Sequence, residues 1–126
     1  MNIKEIKDYV KNTYNVNCLL DRFGAHTKLK KSSGGKYSVN KSNFYNNDYD
    51  LFMILLKYEL ELHIMNCKKN NVNPSARLNV LSDIPYEKTD IFNTFKEIYF
   101  YDYTKRANRI EACNKIENYK LMFSYS

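Results

Sequence analysis

The sequence contains no tryptophan, only three glycines and two prolines in 126 residues. No internal repeat and no low-complexity segment interrupts it. Its three cysteines, Cys18, Cys67 and Cys113, are far apart and show no C-x-x-C spacing. That excludes a disulfide framework and a zinc knuckle, and points to reduced thiols. The start, Met1-Asn2-Ile3-Lys4-Glu5, has no signal-like apolar run, and no stretch approaches the roughly 20 apolar residues of a membrane span. The expectation is a cytoplasmic protein without a membrane partner. Neither G-x-G-x-x-G nor a P-loop, a nucleophile elbow or H-E-x-x-H occurs, which removes the standard nucleotide, hydrolase and metalloprotease routes. His26 and His63 lack neighbours that would complete a metal site, so neither metal nor cofactor is expected.

What remains is rich in tyrosine, with twelve, and carries a net charge of +6. A hydrophobic fraction of 44% is ordinary for a folded chain. The mean hydropathy of -0.63 therefore reflects abundant Lys and Asn rather than disorder. The length suits a single domain spanning residues 1–126. Its basic field favours anionic partners, although a lysine-rich solvated surface explains the same charge.

Ile3, Ile6 and Val10 stand at helical spacing and predict a short covering helix over the first dozen residues. From Asn15 to Asn47 the pattern is weak, and Ser32-Ser33-Gly34-Gly35 between basic flanks predicts a hairpin or mobile loop. Asn46-Asn47-Asp48 supplies N-caps for a long helix over Tyr49 to Lys69, with Leu51, Leu55, Tyr58, Leu62 and Met65 as its apolar stripe. Ile54, Leu56 and Ile64 widen that stripe, so the helix should lie on a sheet.

Beyond Pro74 the chain alternates. Strands are predicted over Ala76–Leu81, Ile98–Tyr103 and Tyr119–Phe123, with helices over Pro85–Phe95 and Arg109–Ile116. This is the pattern of a β-α-β-α-β unit with parallel strands, so the fold class is α/β. The expected layout is a helix plus basic loop over 1–47, then the long helix and the β-α-β-α-β unit over 48–126.

Ligands of parallel sheets approach the carboxyl ends of the strands, where loops are free to vary. That rule selects Asn79, Ser82 and Asp83 after the first strand and Asp102, Thr104 and Lys105 after the second, with Arg77 and Arg109 beside them. Asp83 with Asp102 is a candidate acid/base or metal-binding pair, although a metal site would need further oxygen or imidazole ligands. Ser82 or Asp83 capping the following helix accounts for the same residues. Lys105-Arg106 with Arg109 forms a basic corner able to hold a phosphate, or simply to pair with Asp102.

A second basic set, Lys28, Lys30, Lys31, Lys36 and Lys41, joins Lys105 and Arg106 as candidates for nucleic-acid or partner binding. Tyr99 and Tyr101 fall on one strand face and Phe100 on the other, so the tyrosines can serve as a stacking platform or as core.

Three motifs occur in order: Arg77-Leu78-Asn79-Val80-Leu81-Ser82-Asp83-Ile84 with Tyr86-Glu87, then Phe100-Tyr101-Asp102-Tyr103-Thr104-Lys105 with Asn108-Arg109, then Asn118-Tyr119-Lys120-Leu121-Met122-Phe123-Ser124. Together they resemble the phage "gene product eighty-eight" family. That resemblance implies a protein of phages, plasmids or integrated elements, which the AT-rich character of the composition suits. Longer members carry an N-terminal cysteine region and look distantly like barrel enzymes that hold an iron–sulfur cluster. No counterpart of that region is present here. Val80-Leu81 stands where the family has Gly-Thr and Tyr86 where it has Trp, so a close backbone approach at the glycine is lost. A closed barrel needs roughly 200–250 residues, so a half-barrel-like unit is expected.

The function expected is that of a small mobile-element binding protein: a counter-defence inhibitor of the anti-CRISPR type, with a host defence protein or nucleic acid as partner. A nucleotide- or phosphorylated-ligand-binding domain, or a degenerate enzyme, is one alternative. A DNA- or RNA-binding protein of replication or transfer is another. An exposed sheet edge would also allow a homodimer.

Overall fold

A computed structural model describes residues 1–20, 35–79, 84–104 and 106–123, with the side chains of 35–38 excepted. Helix α1, Ile3–Tyr14, starts where the Asn2 side chain accepts the Glu5 N–H at 2.9 Å. It ends at Asn15, whose left-handed φ of 56° suits asparagine. Ile6 and Val10 are its buried residues, as their spacing predicts.

Helix α2, Gly35–Asn47, occupies part of the stretch read as a hairpin or loop. That reading is corrected for these residues. Ser- and Asn-rich sequence is a poor helix former, but intrinsic propensity is a weak prior that packing overrides. Here Lys41 and Phe44, one turn apart, are wholly buried. Residues 21–34, which include Lys28, Lys30 and Lys31, lie outside the described residues.

Helix α3, Tyr49–Lys69, has the predicted bounds. Asp48 precedes it without making a side-chain cap. Its carboxylate instead accepts the hydroxyls of Tyr9, at 2.7 Å, and Tyr14, at 2.5 Å, which ties α1 to the start of α3. Those two hydrogen bonds, Tyr14's first, hold the Asp48 carboxyl below its usual range. The buried face of α3 runs through Phe52, Leu56, Leu60, His63 and Cys67. Of the predicted stripe only Leu55 is buried, while Leu62 and Met65 are exposed with Ile54.

Strands β1 (Ser75–Ala76), β2 (Tyr99–Thr104) and β3 (Tyr119–Phe123) form one sheet in the order β1-β2-β3. Both pairings are parallel, with Ala76 opposite Phe100 and Phe100 opposite Tyr119. The fold is α/β, as the alternation predicts. The first crossover carries a 3-10 turn, Tyr86–Lys88, and helix α4, Ile91–Thr94. The second carries a 3-10 turn, Ala107–Arg109, and helix α5, Ile110–Cys113.

Alternate strand residues, Ala76, Phe100, Asp102, Thr104, Tyr119 and Leu121, face one core. Phe92 of α4 stacks on Tyr119 with ring centroids 4.1 Å apart and meets Phe100 edge-on at 5.0 Å. The aromatic chain Tyr14, Phe44, Phe52, Tyr86 continues that core from α1 through α2 and α3 to the first crossover. His63 Nε2 lies 2.8 Å from the Ser75 carbonyl and pins α3 to β1. Among the described residues no helix is long and apolar enough to cross a membrane.

Candidate functional site

Two surfaces of the sheet carry chemistry, and they share strand β2. On the core side, Asp102 is 1% exposed and lies near the carboxyl end of β2. Its Oδ1 accepts the Asn79 N–H at 3.0 Å and stands 3.6 Å from Arg77 Nε. Its Oδ2 has no hydrogen-bond partner. Burial is the largest influence on this carboxyl and pushes it up to about 7, against the opposing pull of the Asn79 N–H and the cations of Arg77, Lys41 and Arg109.

The neighbours of Asp102 are spent on holding the chain. The Asn79 amide donates to the Ile84 carbonyl at 2.8 Å and accepts the Ile84 N–H at 3.0 Å, which ties Asn79 to Ile84. Thr104 Oγ1 accepts the Arg106 N–H at 3.0 Å and shapes the turn after β2. Arg109 donates to Glu87 through Nε at 3.0 Å and Nη2 at 2.7 Å, a two-pronged pair that clasps one crossover to the other. The guanidinium therefore pairs with Glu87 rather than directly with Asp102.

Lys41 departs furthest from its sequence reading. The sequence places it in a basic surface stretch, but it is 0% exposed and donates to the Leu78 carbonyl at 2.7 Å. Burying an ammonium group is costly unless it is hydrogen-bonded and faces opposite charge, here Asp102. Ser82, Asp83 and Lys105 lie outside the described residues, as do the side chains of Lys36 and its neighbours. Arg106 is exposed.

The opposite face of the sheet is different in kind. Tyr99 and Tyr103 are 49% and 42% exposed, with half-buried Tyr101 between them. Tyr101 pairs in register with Lys120, and Tyr103 with Met122. The Arg77 guanidinium carbon sits 4.8 Å from the centre of the Tyr103 ring. Parallel sheets are normally covered on both faces, so an open row of tyrosines is an unusual surface for this architecture. The sequence reading placed Tyr99 and Tyr101 on one face and missed Tyr103, which the same two-residue period would have found.

Other residues were not legible as parts of a site. The Asn118 side-chain amide reaches the carbonyls of Phe92, Phe95 and Ile98, and Asn114 Oδ1 accepts the Leu121 N–H at 3.0 Å. The Asn118 contacts tie the second crossover to the first, and the Asn114 contact ties the second crossover to β3. A cavity of about 710 Å³ lined by Glu87, Phe92, Lys96, Glu97, Tyr99 and Glu117 opens at the amino ends of β2 and β3, the edge opposite the expected ligand side. Cys67 faces His63 at 3.8 Å, and Cys113 is buried. Among the described residues no three His, Cys, Asp or Glu side chains group as a metal ion would require, and the thiols do not fit an iron–sulfur cluster.

The motif segments thus meet in space: Asn79 with Asp102, Glu87 with Arg109, and Asn118 with the ends of the first crossover. A family comparison matches Gene product 88 over residues 18–126. The chain belongs to the Gene product 88 family. This is a phage-type family, and the match extends upstream of the three motifs to take in α2 and α3. No curated protein and no solved structure matches the chain. Within this Gene product 88 chain, the described motif residues on the core side knit the two crossovers to the sheet, while Tyr103 and Arg77 also reach the outer face.

Proposed function

We propose that this protein works by binding single-stranded nucleic acid across the outer face of its sheet. The observation that carries the reading is the row Tyr99, Tyr101, Tyr103. Alternate residues of a parallel strand stand about 6.6 Å apart, so the row offers successive rings along one line. Aromatic rings accept bases of any sequence by stacking, each worth about 1–3 kcal/mol. Arg77 and Lys120 supply cations beside the rings, and the net charge of +6 draws a polyanion toward the protein.

Of the sequence expectations, this reading keeps nucleic acid as the partner and moves the contact from the basic stretch to the sheet. The strand-end alternative has less support, because Asn79, Thr104 and Arg109 already hold backbone or Glu87. The anti-CRISPR-type role becomes a narrower proposal: that the strand held on this face is one a host nuclease needs.

The test is fluorescence anisotropy with labelled oligothymidylate and oligouridylate. Binding should weaken steeply as salt rises. Replacing Tyr99 and Tyr103 together by alanine should weaken it at least tenfold, given about 1–3 kcal/mol per stacked base. No binding at low salt, or equal binding by the double variant, would sink the reading. Protection of the bound strand from a nuclease would extend it toward counter-defence.

A further inference from the structure

Arg77 links the two faces of the sheet. Its Nε is 3.6 Å from Asp102 Oδ1, longer than a hydrogen bond, while its guanidinium lies over the Tyr103 ring on the outer face. The enclosed Nε has no hydrogen-bond partner, and neither has Asp102 Oδ2. Charge alone joins the pair, and each member keeps an unused hydrogen-bonding position.

We propose that Arg77 is a phosphate-contacting residue of the tyrosine face, and that Asp102 is its internal counterion, given up when a nucleic-acid phosphate takes its place. This rests on the nucleic-acid reading above. A guanidinium fork matches phosphate oxygens in a two-pronged way that its present contact with Asp102 does not use. Tyr103 beneath it would place a stacked base next to the phosphate so held.

The exchange has a consequence for protons. Among the described residues, Asp102 is faced by Lys41 from α2, Arg77 just after β1, Arg109 from the turn before α5 and Tyr119 from β3. Its carboxyl stands near 7, chiefly through burial. Drawing the Arg77 cation toward a phosphate, and bringing that anion close, disfavours the carboxylate further. Binding therefore takes up a proton, and by linkage affinity rises as pH falls through neutrality.

The experiment measures oligothymidylate affinity of the native chain from pH 6 to pH 8.5 at constant ionic strength, beside Asp102→Asn and Arg77→Ala. The native protein should bind about tenfold more tightly at pH 6 than at pH 8.5, within the usual range of coupling between linked sites. Asp102→Asn should bind at the native pH 6 level throughout, and Arg77→Ala should reduce the salt slope by about 1. A pH slope that persists in Asp102→Asn, or a uniform loss of affinity in that variant, would overturn the proposal. Calorimetry of the native protein at pH 7 in two buffers of different ionisation enthalpy needs no variant: proton uptake supports the exchange and none refutes it. Binding without a pH effect defeats only this inference, whereas no binding at any pH defeats the nucleic-acid reading as well.

Discussion

Strand β2 places two different surfaces within one six-residue segment, Tyr99 to Thr104. Phe100, Asp102 and Thr104 are buried on the inner face, whereas Tyr99 and Tyr103 stand open to solvent on the outer one. On the inner face each polar atom is judged by whether it is satisfied, since water cannot rescue it. On the outer face the same backbone only presents rings, and solvent tolerates almost any substitution. The lesson is that the buried carboxylate, the residue most like a catalytic acid in sequence, belongs to the face that builds the fold. The tyrosines, which in sequence suit either core or a stacking platform, stand on the face open to solvent.

Substitutions can break this contrast. Phe100→Ala should have the largest effect, destabilising by about 3–5 kcal/mol in urea denaturation, because it removes a wholly buried ring from between Phe92 and the sheet. Arg109→Ala leaves the mostly buried Glu87 carboxylate without its two-pronged partner and should cost about 3 kcal/mol. A loss below about 1 kcal/mol would place that pair among exposed ion pairs.

Asp102 sharpens the comparison through pH. Its folded carboxyl is raised to about 7 from an ordinary value of 3.8, so the native state holds a proton that the unfolded chain releases first. The contribution of Asp102 to stability is therefore greatest below the unfolded value and declines as pH rises toward about 7. The slope approaches about 1.4 kcal/mol per pH unit at most. Asp102→Asn should flatten that decline, as stability curves of both proteins from pH 4 to pH 8 would show. A native curve that does not fall relative to that of Asp102→Asn over this range would contradict the burial argument. The smallest effect is expected on the outer face, where Tyr99→Ala and Tyr103→Ala should each change stability by about 0.5 kcal/mol or less while weakening nucleic-acid binding. A large stability loss there would show the rings to be structural.

Much of this architecture was legible in the residues. The alternation after Pro74 predicts three strands and two helical crossovers because short apolar runs and polar breaks recur at the lengths such units need. The bounds of α3 follow from its uninterrupted helical texture between Asp48 and Asn70. Its buried face did not follow, because apolar residues lie nearly all around it, so periodicity could not choose between Leu62 and Leu60. Helix α2 was hidden by Ser and Asn, although Lys41, Phe44 and Tyr45 stand at helical spacing. The site residues were partly legible: the strand-end rule and the motif resemblance drew attention to Asn79, Asp102 and Arg109. Their roles depend on Ile84, Leu78 and Glu87, and no local pattern announces those partners.

By itself, then, the sequence determined the order of elements, the α/β class, the parallel strands and the alternation that sends Tyr99, Tyr101 and Tyr103 one way and Phe100 and Asp102 the other. Those follow from short-range rules: 3.6 residues per helical turn, two per strand repeat, and polar breaks between them. Only the tertiary structure decided that Lys41 would be a core cation, that Arg109 would clasp Glu87, and that Arg77 would stand between a buried carboxylate and an exposed ring. These are contacts between residues tens of positions apart, and their energies come from desolvation and charge that exist only once the elements have packed.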